Sequence, residues 1–458
     1  MIAMRVALRA GLFAAIVAIL ASRAASADDD IWHLEKLSGD WGGVRTELQN
    51  QGFDITLDYV GETMGDVSGG VERGFVYQGR LQLSLDVDLD KLMGWQGALF
   101  HVTGYQIQRT GGGIGARSGA LSDPSSIEAH PSTRLFTLWL QQSLFDDEVS
   151  VRVGQLAADD EFMISPTAAN LLNSTFGFAD ILALNLPSGG PEYPLATPGL
   201  RIQVNPTPEL SLLAAVFSGD PAGDTCSGNP QLCNGSGTTF SFSGGTFWIG
   251  EAQYAINQGD QAEGLPGVYK LGVWYQDASF ADQRFGVDAA GNKVSLASGA
   301  AVGAENHEGN GGIYGLADQT LWRSNDKDRT LNAFLRIGVS PADRNLISFY
   351  VDGGLGFTGL VPTRDQDTLT FGAAYARISD DAAHLDKDTR RLDDPSFPVR
   401  DEEIVLELSY LAQVTPAVTL QPDIQYIIRP GGSAPDPGDP DGTIPNALVL
   451  GVRATLVF

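Results

Sequence analysis

N-A-L-V-L-G-V-R-A-T-L-V-F, Asn446 to Phe458, decides how the rest of the chain reads. Leu448, Leu450, Val452, Ala454, Leu456 and Phe458 share one parity, and Val449, Gly451, Arg453 and Thr455 hold the other. Successive side chains of a strand point to opposite faces, so one face here is wholly apolar and the other mixed and small. The run has about the length of a membrane-crossing strand, ~9–11 residues, and it ends on a bare aromatic. A soluble sheet can end this way too, so the reading depends on whether the pattern recurs.

Working back from that strand, it recurs throughout. Val418, Leu420, Ile424 and Tyr426 alternate with Thr419, Gln421, Asp423 and Gln425; Ile404, Leu406, Leu408 and Tyr410 alternate with Glu403, Glu407 and Ser409. The clearest case is Phe75, Tyr77, Leu81, Leu83, Leu85, Val87 and Leu89 against Gln78, Arg80, Gln82, Ser84, Asp86 and Asp88. Further strands are expected at 53–59, 95–105, 134–145, 149–156, 200–204, 210–217, 246–256, 268–276, 313–322, 331–339, 347–357 and 369–375. Short turns are expected at Lys91–Gly94, Phe145–Glu148, Asn205–Glu209 and Ser340–Asn345, alternating with long loops at 106–132, 157–198, 277–310 and 379–401. Tight turns on one side and long loops on the other, joining about sixteen strands, predict an all-β, transmembrane, antiparallel up-and-down β-barrel, with short periplasmic turns and long outer loops. That strand number leaves an aqueous lumen rather than a packed interior.

The chain's opening fits this address. Arg5 and Arg9 precede the apolar run Ala10–Leu20, and Ala25-Ser26-Ala27 is a small-residue cleavage site, so residues 1–27 read as a signal peptide. Residues 28–52 read as a short periplasmic segment with a helix starting near Ser38 or Asp40 and ending at Gly52, and residues 53–458 as the barrel. The formal charge of −27 becomes more negative on cleavage, which removes three arginines and no acid; this argues against nucleic acid and against an anion pore. Cys226 and Cys233, in an exported chain, are expected to form a local disulfide; a metal pair is disfavoured because no histidine is near. No metal or cofactor is expected.

L-S-G-D-W-G-G-V-R-T-E-L (Leu37–Leu48), V-R-V-G-Q-L-A-A-D-D-E-F (Val151–Phe162), N-S-T-F-G (Asn173–Gly177), L-P-S-G-G-P-E-Y-P (Leu186–Pro194), F-S-G-D-P-A-G (Phe217–Gly223), P-G-V-Y-K-L-G-V-W-Y (Pro266–Tyr275) and P-D-I-Q-Y-I-I-R-P-G-G (Pro422–Gly432) occur in order along the chain. Together they resemble the carbohydrate-selective porin family of the OprB type. The resemblance implies a sixteen-stranded bacterial outer-membrane pore, narrowed by inward-folded outer loops, for passive diffusion of small sugars such as glucose. The partners it implies are sugars and outer-membrane lipid, with a monomer and a homo-oligomer equally compatible.

A sugar pore needs charged and amide groups for hydroxyls, held weakly enough for release. Inward parity offers Arg80, Arg152 and Arg201, with Glu251 opposite in charge, as pore-lining candidates; Arg80 and Arg152 lead because each sits mid-strand. The plainer reading is that such charges only solvate and brace the wall. The loop from Asp159 to Pro198, bearing Asp159, Asp160, Phe162 and Phe176, is apolar for an exposed loop and is expected to fold inward as the constriction. A general-solute porin is the first alternative. A barrel lipid hydrolase is weaker: it would need His101 paired with a serine, and no G-x-S-x-G is present.

Overall fold

The computed structural model describes residues 32–259, 262–326 and 328–458. The expected signal peptide lies outside the described residues. Among them, one seventeen-stranded sheet closes on itself; Lys293–Ser295 is a three-residue annex to it, and the other sixteen strands form the wall. In chain order these are β1 (Phe53–Ser68), β2 (Gly74–Asp88), β3 (Ala98–Arg109), β4 (Ser132–Leu144), β5 (Val149–Leu156), β6 (Thr197–Thr207), β7 (Leu210–Ser218), β8 (Thr246–Ile256), β9 (Gly267–Val287), β10 (Gly303–Arg323), β11 (Thr330–Val339), β12 (Ile347–Thr358), β13 (Thr368–Ile378), β14 (Glu402–Thr415), β15 (Val418–Ile428) and β16 (Ala447–Val457). Each pairs antiparallel with its neighbours in sequence, and β1 pairs with β16 from Asp58↔Val457 to Ser68↔Leu448, so no wall edge is left open.

Alternation sets the two faces. In β16, Leu450 and Val452 are exposed while Ala447, Val449 and Gly451 are buried. The same outward apolar rows continue through Leu271, Val273 and Tyr275 of β9 and Leu335, Ile337 and Val339 of β11. Exposed apolar rows this extensive mark a surface that belongs in lipid.

Three expectations are corrected. The stretch 277–310, expected as a loop, is largely strand: β9 runs on to Val287 and β10 begins at Gly303. Beyond the bilayer both strand faces are polar, so the period-two apolar signal vanishes while the ladder continues, Asn306↔Ala281 and Glu308↔Ser279. The turn Ser340–Asn345 joins β11 to β12 at the loop-bearing end rather than the tight-turn end. The acidic stretch 379–401 contains a helix, α2, Asp380–Leu392, which follows α1 (Val44–Asn50) in chain order. The Ser379 side chain accepts from the Ala382 N–H, with Asp380 and Asp381 in the first turn and Arg390 and Arg391 in the last. Each placement suits the helix dipole.

The segment before β1 is tied to the far end of the chain. Leu37 N–H donates to Val457 O at 2.8 Å, and Arg45 Nη2 donates to Phe458 O at 2.9 Å, with Arg45 also lying 4.2 Å over the Trp41 ring.

Candidate functional site

The connection from β5 to β6, residues 157–196, enters the barrel and crosses it. Its apolar side chains have no surface to cover them on the outside. Phe162, Phe176, Ile181 and Leu182 are buried in one cluster with Leu213, Phe247, Tyr314, Phe334 and Tyr350, wall residues from β7 round to β12. Glycines at inward positions make the room. A Cβ on Gly372 would meet Leu171 at 2.4 Å and Phe176 at 2.9 Å, one on Gly356 would meet Thr167 at 3.1 Å, and one on Gly338 would meet Ile181 at 3.1 Å.

A loop removed from water must also pair its backbone. Wall carboxylates take its N–H groups: Glu251 accepts from Met163 N at 2.8 Å, Asp318 from Thr167 N at 3.0 Å, and Glu407 from Asn173 N at 3.0 Å and from Leu172 N. Arg336 takes its carbonyls, donating to Met163 O at 3.1 Å, Gly177 O at 3.2 Å and Thr175 O at 2.8 Å while paired with Asp352. Gln421 donates to Asn170 O at 2.8 Å.

A second connection, residues 110–131, also turns inward and seals against the first. Ser126 N–H donates to Leu172 O at 2.7 Å, Ser174 N–H to Asp123 O at 2.9 Å, and Leu121 N–H to Glu403 at 2.8 Å. Arg453 of β16 holds it from the wall, donating to Ser126 Oγ at 3.1 Å and to Glu62 at 2.7 Å. The stretch reads in sequence only as a long loop; its two acids, Asp123 and Glu128, the latter accepting from Ile114 N and Gly115 N, carry no distinguishing signal.

Between these loops and the wall of β1, β2, β15 and β16 lies a polar cavity of about 460 Å³, lined among others by Arg80, Asp123, Asp159, Glu192, Tyr193 and Arg453. Arg80 makes no hydrogen bond to another described residue. Its guanidinium lies 4.9 Å over Tyr105 and 5.3 Å over Tyr193, and its Nε is buried without a partner. Asp159 accepts from Tyr193 N at 2.9 Å through one oxygen and leaves the other unpartnered. Burial pushes Asp159 up to about 6 and Asp160 up to about 7, the latter lifted further by the Asp159 charge beside it. Burial, with Asp159 nearby, raises Glu192 well above the usual carboxylate range.

The other expected residues are placed differently. Arg152 stacks 3.9 Å over Trp139, donates to Gln141 at 2.9 Å and lies 3.5 Å from Glu161. Arg201 and Glu251, expected to line the pore, do not reach it. Arg201 is 2% exposed, with its nitrogens engaged by Glu161, Ser150 and Gln141. Glu251 is 3% exposed and takes Met163 N, Tyr314 Oη at 2.6 Å and Gln253 at 2.7 Å. Both have inward parity, but the inward-folded connection stands between them and the open passage. Phe162 and Phe176 are packing groups beneath it. His101 donates or accepts between Asp86, at 2.7 Å, and Thr103, at 2.8 Å, and stacks on Trp139 with ring centroids 4.6 Å apart. Cys226 and Cys233 are joined by a disulfide in the connection from β7 to β8, and the loop it closes lends Gln231 to the cavity lining.

Residues 72–458 match the model of the carbohydrate-selective porin, OprB family. Porin B of Pseudomonas aeruginosa is 28% identical over 443 residues, covering 92% of this chain and 90% of the relative. The high-pH structure of Pseudomonas putida OprB superposes with a TM-score of 0.81 at 27% identity, covering 94% of this chain and 100% of that one.

Proposed function

Since this chain belongs to the carbohydrate-selective porin, OprB, family and is a sugar porin of the bacterial outer membrane, we propose that its selective step is passage between Arg80 and the acidic face of the inward connections. The family and fold are those of channels rather than enzymes, and passage through this one is passive, with no chemical step. The observation that carries the reading is the unpaired Arg80 guanidinium, backed by two tyrosine rings and facing Asp159 and Glu192 across the cavity. A guanidinium offers five donors in a fixed fork, suited to adjacent hydroxyls. The acids opposite, lifted toward neutrality, accept from hydroxyls when ionised and donate when protonated. The tyrosine rings offer apolar faces to the sugar ring. Donors and acceptors of both signs across one gap hold a neutral polyol briefly and favour neither ion sign strongly. Arg152, close to the same wall but tied to Gln141, serves as a secondary contact below the cavity.

The test is Arg80→Ala in planar bilayers. Sugar block of ion current should weaken by roughly tenfold, the scale of one charge-assisted hydrogen bond, and the pore should shift toward cations while its gel mobility before boiling stays that of a folded barrel. Unchanged sugar block and unchanged ion selectivity would reduce Arg80 to a wall residue. Liposome swelling with glucose, a disaccharide and an amino acid of similar size separates a sugar-selective pore from a general one: equal rates for all three would favour the general pore.

A further inference from the structure

The connection from β7 to β8, residues 219–245, reaches the polar cavity through Gln231 and then turns back outward. Its segment 236–245 bends over the outside of the wall at the loop-bearing end of β4 to β8. It is held there at both ends. Leu135 N–H donates to Ser236 O at 2.9 Å, and the Gln155 side chain donates to Gly237 O at 2.9 Å; nearer β8, Asp220 N–H donates to Ser243 O at 3.0 Å and Gly219 N–H to Gly245 O at 2.9 Å. Beneath this overhang is a slot of about 620 Å³. Its wall is Val153, Pro198, Leu200 and Val216, from β5, β6 and β7; its roof is Phe240 and Phe242. Phe242 is 84% exposed, the most of any large apolar side chain among the described residues. A phenyl ring held that far out costs free energy unless something apolar covers it.

We propose that this slot holds an acyl chain of outer-leaflet lipopolysaccharide. The slot lies on the lipid side of the wall, so it opens neither to the passage nor to the water inside the barrel. It is continuous with the outward apolar rows that meet the bilayer. It sits at the end with the long loops, which in such barrels faces the exterior and therefore the outer leaflet. Its shape selects a flexible chain over a second copy of this protein. A neighbouring barrel wall would bridge the mouth and leave the space under the roof unfilled, whereas a hydrocarbon chain fills it, and unfilled apolar space forfeits contact energy.

The experiment compares wild type with Phe240→Ser/Phe242→Ser, which strips the roof, and with Val216→Trp, which fills the slot. Each is purified through detergent exchange, its unboiled gel mobility confirms a folded barrel, and bound lipid is extracted for fatty-acid analysis. Hydroxy fatty acids report lipopolysaccharide; unsubstituted ones alone report phospholipid. Wild type should retain hydroxy fatty acids in fixed ratio to protein, and both variants should retain roughly tenfold less or lower still, the scale of losing a buried aromatic contact. Equal retention in all three overturns the proposal, as does retention of unsubstituted chains alone. A change of oligomeric state by light scattering, with hydroxy fatty acids unchanged, assigns the slot to a second copy and also overturns it.

Discussion

The barrel has two unlike inner walls. From β8 to β14 the lumen side is glycine, aromatic rings and engaged charges: Gly338, Gly356 and Gly372 recede, Phe247, Phe334 and Tyr350 fill, and Glu251, Arg336 and Glu407 hold the backbone of the inward connection. On β2 and its neighbours, the Arg80 guanidinium has two rings behind it and no hydrogen-bonded partner among the described residues. Both walls follow the same alternation and both carry arginines and acids. The difference lies in what stands in front of them. A charge that bonds a buried backbone is committed; a charge facing the gap is available. Counting inward charges therefore does not count sugar contacts.

The sharpest way to break this comparison is Arg336→Met. The variant strips three carbonyls of the inward connection of their donor and leaves Asp352 buried without its cation, a change that costs about 3–5 kcal/mol. The connection should come away from the far wall. Single-channel conductance should rise, sugar block should fall, and the unboiled barrel should convert to the unfolded gel form at lower temperature. Unaltered conductance would mean that the connection is held by packing alone.

Gly372→Val sharpens the same contrast without touching a charge. Its side chain would meet Leu171 and Phe176 at distances that real side chains do not tolerate, so overpacking of about 1–3 kcal/mol is expected. The displaced connection should narrow or widen the passage, read as altered conductance with an intact barrel. A valine placed instead at an outward position of the same strand should leave conductance as it is.

The smallest effect concerns the acids on the passage side. Asp159 and Asp160, adjacent acids both held above the usual carboxylate range, lose their charge at higher pH than free carboxylates do. Lowering the pH removes negative charge from the gap, so the cation-to-anion permeability ratio should fall, measured as reversal potential in a salt gradient. In linkage terms, carboxylates whose folded pKa is raised favour the folded state most at low pH and lose that contribution as pH rises through 6 to 7. Selectivity that is flat from pH 8 to pH 5 would place these acids off the ion path.

The sequence made the barrel readable because bilayer-spanning strands cannot hide their alternation. Residues 149–156 and 246–256 were bounded correctly from pattern alone, and the final strand to within a residue. The signal failed where lipid stops acting on it. The outer half of β9, beyond Gln276, has no apolar face to alternate, and α2 hides its cap and charge order inside a run of acids. In the site, parity gave the facing of Arg80, Arg152, Arg201 and Glu251 but not the depth of what covers them. That depth is set by contacts between residues far apart in the chain, such as Glu251 with Met163 and Gly372 with Phe176, for which a single sequence carries no local trace. The inward glycines of β11 to β13 were the one available hint, since three neighbouring strands each omit an inward side chain.

The seam between β1 and β16 has a consequence for assembly. The first strand and the last are hydrogen-bonded partners, and the segment ahead of β1 grips Val457 and Phe458. Closure thus joins positions separated by almost the whole chain, the slowest kind of contact to find. Until the last strand arrives, β1 and β15 present unpaired edges and the apolar rows have no lipid, so the unfinished barrel is at its most aggregation-prone during transit. The pairing of β16 with β1 is therefore the point at which a sticky open sheet becomes a sealed cylinder, and anything that shepherds this chain must act before that seam forms.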